Sequence, residues 1–327
     1  MRCRSFGATL AALVSNLKPN KRAFMKNFLR LFGLATCFAT AAAFAETSMV
    51  EAPSGDGDGD PFGFELDFQG AYIGEGDVER GSRNINNFEE VNLLGRLLLL
   101  PRTKIGILRL GAEYEIYDFD ISEGAQVPDR LQSAALIVGL DTKLSDSLLI
   151  RFEAKPGYYF ADDLEAEDFN VPFILGGTYL YSSTLQFVFG IGVDFEGQYP
   201  VLPGGGVRWR FAPQWVLNAT LPTPRLEYEL NRNLTIYAGA ELRSKTVRVD
   251  DDFVGDASEP GNLNNAILSY TQIRTGAGVA WKLGEACKLS VDGGYLAYRQ
   301  FDYHRADIRY KSDGGALYGS AALNLSF

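Results

Sequence analysis

Apolar and polar residues alternate with a period of two from residue 62 to the C-terminal residue 327. The first run shows the pattern, with apolar Phe64, Leu66 and Phe68 at one parity and Glu65, Asp67 and Gln69 at the other. Successive side chains of a strand point to opposite faces, so each run predicts a strand with one apolar and one polar face. No stretch downstream of residue 45 keeps the i, i+3, i+4 spacing of an amphipathic helix, and the sequence therefore predicts an all-β fold.

Two kinds of connection alternate between these runs. The short links are 101–104, 144–146, 182–184, 212–213, 231–233 and 283–286. The other links are mostly longer and polar, at about 76–88, 120–130, 160–170, 197–204, 249–262 and 303–313, with a tight one at 223–224. Outer-membrane barrels have this arrangement of periplasmic turns and outer loops. The sequence predicts a transmembrane antiparallel up-and-down β-barrel of about 14 strands over residues 62–327, or 12 if the short runs within 204–230 are miscounted.

Aromatic residues on the apolar parity cluster at both ends of the predicted strands. Those beside short turns or the C-terminus are Phe211, Trp215, Trp281 and Phe327, and those beside the long loops are Tyr72, Tyr114, Tyr158, Phe195 and Phe301. Two aromatic girdles mark the two membrane interfaces of a barrel. This placement predicts contact with outer-membrane lipid, although large rings could also end strands by chance.

The first 45 residues have the organisation of a secretory signal peptide. From Met25 the chain reads MKNFLRLFGLATCFATAAAFA, a basic start, an apolar stretch and a small-residue end. The apolar segment 31–45 has 15 residues and is too short to span a bilayer as a helix. We expect residues 1–45 to form the signal region, with Met25 as the start and cleavage after Ala45, which directs the protein to the cell outer membrane. Residues 46–61 then form a flexible acidic leader.

Removal of the signal region changes the charge of the protein. Residues 1–45 contain seven Lys or Arg and no Asp or Glu, so the remaining chain has 24 basic and 41 acidic residues, a net charge of −17. A body this acidic repels phosphate backbones, which argues against nucleic acid as a partner. Cleavage also leaves Cys287 as the single cysteine, which excludes an internal disulfide.

The final strand carries the most specific local signal. Leu317, Gly319, Ala321, Leu323 and Leu325 alternate with small or polar residues, and the sequence ends at Phe327. This segment resembles the C-terminal β-signal of Gram-negative outer-membrane proteins, a resemblance that implies recognition by the barrel-assembly machinery. Residues 221–242, beginning LPTPRLEYEL, are similar to a family of bacterial outer-membrane barrels of unassigned function.

The predicted inward parity carries interleaved charges of both signs. We interpret it as a hydrated lumen, which predicts a passive porin-like channel for small polar solutes. Alternatively, these charges pair with one another and fill the interior, which predicts a structural barrel with no conducting path. A hairpin folded about residues 201–202 would bring Asp194 and Glu196 opposite Arg208 and Arg210. The lumen-lining candidates are Arg109, Glu113, Arg151, Glu153, Lys155, Asp194, Glu196, Arg208, Arg210, Glu241, Arg243, Lys245 and Arg274.

The alternative function is an outer-membrane barrel hydrolase that acts on lipid or peptide. His304 is the single histidine and is close in sequence to Asp302, Asp307 and Ser312. A histidine, a carboxylate and a hydroxyl form a nucleophilic site only in a defined geometry, which a loop sequence does not supply. We therefore expect a protein that is not an enzyme.

The sequence gives no metal or cofactor motif that meets its structural requirements. The segment 56–60, DGDGD, resembles the start of a calcium loop, but Pro61 occupies the position at which an EF-hand needs Gly. Acidic loops at 162–168 and 250–252 could bind divalent cations or be simply solvated. Residues 276–278, GAG, lack the third Gly of a dinucleotide fingerprint, and Cys287 has no partner for a metal site. We predict no cofactor and no metal.

Overall fold

The computed structural model describes residues 62–80, 83–121, 127–251, 253 and 263–327, so the signal region and the acidic leader lie outside the described residues. In the described part, 14 antiparallel strands form one closed sheet. The strands are β1 Phe62–Arg80, β2 Arg83–Thr103, β3 Gly106–Asp120, β4 Arg130–Ser145, β5 Leu148–Ala154 with Gly157–Phe160, β6 Phe169–Asn170 with Phe173–Leu180, β7 Leu185–Val193, β8 Val201–Ala212, β9 Trp215–Thr220, β10 Arg225–Glu229, β11 Leu234–Arg248, β12 Ile267–Lys282, β13 Cys287–Tyr303, and β14 Ile308–Asp313 with Ala316–Ser326. The predicted up-and-down barrel of 14 strands is confirmed, including three separate strands between residues 201 and 229, and the 12-strand alternative is wrong.

Three strands are interrupted without leaving the sheet. Proline has no N–H to donate, and β5 and β6 break at Pro156 and Pro172. The carbonyls of these prolines still accept hydrogen bonds from Leu136 N–H (2.9 Å) and Lys155 N–H (2.8 Å). The third interruption is at Gly314 in β14, whose φ of +83° favours glycine. The barrel wall is therefore continuous across all three breaks.

The sheet closes where the last strand meets the first. β14 pairs with β1 in register from Ser326↔Glu65 to Tyr318↔Ile73. At the end of the seam, Phe64 N–H donates to Phe327 O at 3.0 Å and Phe327 N–H donates to Phe64 O at 2.9 Å. Closure pairs both edge strands, so no open sheet edge is left.

The outer face of the barrel carries large apolar side chains. Phe68, Leu97, Leu136, Leu175 and Phe189 are all exposed and lie on the outward parity of their strands. So continuous an apolar exterior is unstable in water and suits the hydrocarbon region of a bilayer. In the described residues the sole helix is the three-residue turn Ala166–Asp168, and no helical membrane span is present there.

One predicted girdle residue is misplaced. Phe301 is fully buried and points inward, although the alternation of its sequence predicts a lipid-facing ring. The register of β12 with β13 shifts between Ile273 and Arg274, where Ala297 is the extra residue of β13. A β-bulge adds one residue to a strand and reverses the parity beyond it. Phe301 therefore faces the interior.

The wall of the barrel is tall on one side and low on the other. β2 has 21 residues and β13 has 17, whereas β9 has six and β10 has five. A tilted strand of roughly 9–11 residues crosses a bilayer, so the tall wall extends beyond the membrane. Two predicted outer links, 76–88 and 303–313, are wrong in extent because β1, β2, β13 and β14 continue through most of them.

The tall wall curls inward at its outer end. Arg248 of β11 pairs in parallel with Phe160 of β5, which is not its neighbour around the ring, and Ala161 N–H donates to Arg248 O at 3.0 Å. The Arg248 guanidinium also donates to Glu167 O (3.1 Å) and Asn265 O (3.0 Å) and is 3.1 Å from the Glu196 carboxylate. This cross-barrel contact joins β5 to β11. The outer opening of the lumen is therefore narrowed on the side of the tall strands.

Buried apolar side chains fill the narrowed outer end. The rings of Phe88, Phe119, Tyr270 and Phe301 pack with centroids 4.6–5.5 Å apart. We call the whole buried set the aromatic plug: Val78, Phe88, Tyr117, Phe119, Val127, Leu131, Ala135, Tyr159, Ala161, Val247, Val249, Leu263, Leu268, Tyr270, Phe301, Tyr303, Ile308 and Tyr310. The outer end of the lumen on the tall side is thus packed like the core of a soluble protein.

The cross-barrel contact predicts a specific cross-link. In a Cys287→Ser background, Phe160→Cys with Arg248→Cys should form a disulfide, because adjacent strands lie about 4.8 Å apart, within the range that a disulfide bridges. The bond is detected in the refolded protein by non-reducing electrophoresis and mass spectrometry.

The matched control pairs Phe160→Cys with Ser244→Cys, which lies four residues and about 13 Å further along β11. This pair should remain reduced. Equal cross-linking of both pairs, or of neither, would contradict the contact between β5 and β11.

Candidate functional site: the charged lumen

The structure places 11 of the 13 predicted lumen residues on the inner face of the barrel, and puts Asp194 and Glu196 in the connection between β7 and β8. The inner residues come from opposite walls: Arg109, Glu113, Arg151, Glu153 and Lys155 on β3 and β5, and Glu241, Arg243, Lys245 and Arg274 on β11 and β12, with Arg208 and Arg210 on β8. Their role in lining a solute path stays a prediction.

The pairing predicted for Arg208 and Arg210 is wrong. The β7–β8 turn lies at residues 194–200 and not at 201–202, so Arg208 is opposite Gln186. Both arginines instead bind β10, with Arg208 3.1 Å from Glu227 and Arg210 2.6 Å from Glu229. The Asp194 carboxylate accepts a hydrogen bond from Asn170 at 2.8 Å, and Glu196 binds Arg248.

A fully buried ion cluster lies directly below the aromatic plug. The Glu90 carboxylate is 3.0 Å from Arg299 and 3.4 Å from Arg274, and the Tyr270 hydroxyl also donates to it. The exposed fraction of these three charged side chains is 0–1%. The Arg299 guanidinium lies over the Phe88 ring at 4.4 Å, which joins the cluster to the plug.

The next layer bridges the barrel from β11 to the opposite wall. Lys245 Nζ is 2.8 Å from Glu115 Oε2 and also donates to Ser133. Arg243 donates to Asn92 Oδ1 at 2.7 Å and is 3.5 Å from Glu115. These bonds span strands that are not neighbours in the sheet, so they hold the two walls together at this level.

Below that bridge, cations share carboxylates along the wall of β2–β5. Glu113 accepts from Arg96 Nε at 2.8 Å and from Lys155 at 2.9 Å. Asp141 is 2.6 Å from Arg151 and 3.7 Å from Arg109, and Arg109 also binds Glu153 at 2.8 Å. On the opposite side Glu227 is shared between Arg208 and Arg225, the latter at 2.9 Å.

The two parts of the lumen differ in their access to water. Glu90, Arg274 and Arg299 are dry, whereas the cations Arg96, Arg151, Lys155 and Arg208 have 20–27% of their side chains exposed. The strands β6–β8 beside this wetter part carry few inward side chains. Ile174 and Leu202 point inward with 44% and 54% exposure, and a Cβ on inward Gly204 would meet no atom within 4 Å. Space therefore remains next to β6–β8.

Sequence reasoning missed Glu90, Asn92 and Arg299. Because residues 76–88 are predicted as a link between strands, the prediction does not extend the inward alternation of Arg96, Leu94, Asn92 and Glu90 to its outer end. Arg299 was hidden by the bulge at Ala297, which moves it to the inner face. The alternation of β2 alone places Glu90 on the inner face. Its ion pairs with Arg274 and Arg299 depend on β12 and β13, which are distant in sequence.

Asp302 and Ser312 of the alternative hydrolase site form hydrogen bonds with residues outside that predicted site. The Asp302 carboxylate accepts from Arg309 at 2.8 Å and Gln300 at 3.1 Å, and Ser312 Oγ accepts from Arg299 N–H at 3.1 Å. His304 Nδ1 is buried without a hydrogen-bond partner in the described part of the chain. Burial lowers the pKa of His304, and the Arg305 guanidinium adds to the effect. The structure does not bring these side chains together as a nucleophile, base and acid.

The acidic outer loop is held mainly by its own hydrogen bonds. The Asp168 carboxylate accepts from Glu165 N–H at 2.6 Å, and Asp163 N–H donates to Asp250 at 3.3 Å. Across the described ranges, no group of three or more His, Cys, Asp or Glu side chains is arranged to hold a metal ion. The segment 56–60 lies outside the described residues.

The closed ring, the apolar exterior and the ion-paired interior together define a transmembrane β-barrel of the outer-membrane type. Residues 101–315 match the family described as "Domain of unknown function (DUF6268)". The match spans more than half of the 327 residues, and the chain belongs to that family. This agrees with the resemblance of residues 221–242 to a barrel family of unassigned function. No protein with curated annotation matches the sequence.

Several solved barrels are similar to this chain at low identity. The COG4313 outer membrane channel from Pseudomonas putida F1 is 13% identical, with 85% of this chain and 100% of that chain covered and a TM-score of 0.44. The Pseudomonas putida toluene transporter TodX is 10% identical, with coverages of 82% and 90% and a TM-score of 0.34. The KdgM porin is 11% identical, with coverages of 80% and 99% and a TM-score of 0.35.

The buried ion cluster predicts a large loss of stability when its carboxylate is removed. Glu90→Gln leaves the buried Arg299 guanidinium without its carboxylate and leaves Arg274 with only the Glu241 carboxylate at 4.0 Å, so the free energy of unfolding should fall by about 3–5 kcal/mol. Urea unfolding of the refolded protein in micelles, followed by the fluorescence of Trp209, Trp215 and Trp281, measures the change.

Glu229→Gln is the matched control because it removes the same group from a pair that is about one-third exposed. Its cost should be about 1 kcal/mol or less. Equal losses for the two variants would show that the buried cluster contributes nothing beyond a surface ion pair.

Proposed function

We propose that the protein is a passive porin-like channel of the outer membrane for small polar solutes. The solute path runs along the β5–β10 side of the lumen, between the shared carboxylates of β2–β5 and the arginines of β8 and β10. The single observation that carries the proposal is the open inner face of β6–β8, where Ile174, Leu202 and Gly204 point inward and stay accessible. Partly exposed charges next to this face would supply a hydrated lining.

The aromatic plug sets the direction of the proposed path at its outer end. The plug fills the space between the tall strands, so a solute would leave beside the low wall of β6–β10 and not along the barrel axis. Asn170 and Asp194, which are hydrogen-bonded to each other, lie at the outer ends of β6 and β7 on this route. The proposal gives His304 no catalytic role, since in the described part of the chain Asp302 and Ser312 are hydrogen-bonded to other residues.

The proposed lining combines five charged side chains that are 24–37% exposed, those of Arg151, Lys155, Arg208, Arg210 and Glu241, with three buried charges on the wall of β3–β5. The three buried charges are Arg109, Glu113 and Glu153, whereas Arg243, Lys245 and Arg274 would act as structural ties. A structural barrel without conductance is the competing outcome, since many of these charges are already paired.

Conductance measurements test the proposal directly. The refolded protein should give discrete openings in planar lipid bilayers, and Gly204→Trp should lower the single-channel conductance by about twofold or more, because its ring would project into free lumen space. Gly319→Trp is the control, since Gly319 also has free space around it but lies on the outward parity of β14, in the lipid.

The outcomes separate the two candidate roles. A folded barrel that migrates anomalously before heating and never opens across a range of salt concentrations would favour the structural barrel. Equal effects of the two tryptophans would place the conducting path elsewhere than beside β6–β8.

We further propose that the chain is exported with its signal region removed and is inserted through recognition of its last strand. The proposal rests on the sequence of residues 1–45 and on Phe327, which completes the seam with Phe64. Mass spectrometry of the protein from outer-membrane fractions should give an N-terminus at Glu46. A mature chain that retains residues 25–45 would contradict the cleavage.

A further inference from the structure

The ion pairs of the lumen do not present their two partners equally to water. In the shared groups of β2–β5 and β8–β10, the cations Arg96, Lys155, Arg151 and Arg208 are 20–27% exposed, whereas the carboxylates of Glu113, Asp141 and Glu227 are each 7% exposed. Within these shared groups the accessible charge is therefore mainly positive. A solute in this part of the lumen would meet guanidinium and ammonium groups first.

The sharing of carboxylates explains this asymmetry. Glu113 binds both Arg96 and Lys155, and Glu227 binds both Arg208 and Arg225. Each carboxylate therefore divides its single negative charge between two cations. The long Arg and Lys side chains extend past the short carboxylates, so the remaining positive charge is carried towards the water.

We call this part of the inner face, with its more exposed cations, the cationic face. Two other ion pairs mark its limits. Glu241 is more exposed than its partner Arg243, and Glu229 is about as exposed as Arg210. Glu241 belongs to β11, on the wall opposite β5, and Glu229 is the last residue of β10 before the periplasmic turn. The cationic face is thus confined to the β2–β5 and β8–β10 walls, which flank the open inner face of β6–β8.

We infer that the channel prefers small anions, of the carboxylate or inorganic-anion class, over cations. The inference rests on the proposed function and adds its solute class. Partly exposed guanidinium and ammonium groups attract anions, and a one-signed charged lining in a narrow pore sets ion preference.

Net charge alone predicts the opposite preference. The chain after residue 45 carries −17, which by itself would attract cations. Part of that acidic excess lies in the outer connection at Asp162, Asp163, Glu165 and Glu167, away from the cationic face of the lumen. The charge next to the solute is therefore different from the charge of the whole protein.

Reversal potentials in a KCl gradient test the inference on the full mature chain in planar bilayers. The wild type should have a chloride-to-potassium permeability ratio above one. The double variant Lys155→Gln with Arg208→Gln should lower this ratio by about twofold or more, because it removes two of the exposed positive charges and leaves Glu113 and Glu227 with one cation each.

The matched control is Lys104→Gln with Arg130→Gln, which removes two positive charges, one from the exposed turn after β2 and one from an exposed pair at the loop end of β4. Its permeability ratio should equal that of the wild type. Heat-modifiable migration of each variant confirms that it has folded before its ratio is compared.

Each result decides a different claim. An open channel with a ratio at or below one overturns the anion preference and leaves the proposed channel in place. Equal shifts in the two double variants also overturn it, since total charge and not the lumen face would then set the ratio. A folded protein that never conducts overturns the channel proposal, and the anion preference with it.

Discussion

Satisfaction of the backbone hydrogen bonds in lipid is the constraint on which the rest of this structure depends. A strand that contacts hydrocarbon has no water to bond its N–H and C=O groups, so every strand must have two neighbours and the sheet must close. The seam between Phe64 and Phe327 meets that requirement at the two ends of the barrel domain. Closure then places every second residue of each strand in an interior. The chemistry of that interior depends on which polar residues occupy these positions.

Within the closed sheet, unequal strand lengths divide the interior into two environments. The tall strands continue past the membrane and curl over until β11 reaches β5, and the enclosed space is dry enough for packed rings and for the cluster around Glu90. The short strands β9 and β10 cannot take part in that closure. Beside them the wall stays low and its charged side chains reach water. One barrel thus combines a core of the soluble-protein type with a hydrated compartment.

Sequence reasoning reached the fold because the strand period is a local property. Each run of alternation could be identified alone, and the count of 14 followed from the order of turns and loops. It failed where the outcome depended on other strands. The bulge at Ala297 turned Phe301 and Arg299 inward, and the position of the 194–200 turn gave Arg208 and Arg210 partners on β10. The contact between Arg248 and Phe160 joins residues 88 positions apart through the curvature of the wall, which no local pattern encodes.

The aromatic plug also changes how the barrel responds to temperature. Apolar groups on the outer surface are covered by detergent or lipid in the folded barrel. The rings of the plug have no such cover, and their hydration on unfolding raises the heat capacity of the denatured chain. The plug therefore gives this membrane protein a curved stability profile, with weakening on strong cooling, of the kind known from water-soluble domains.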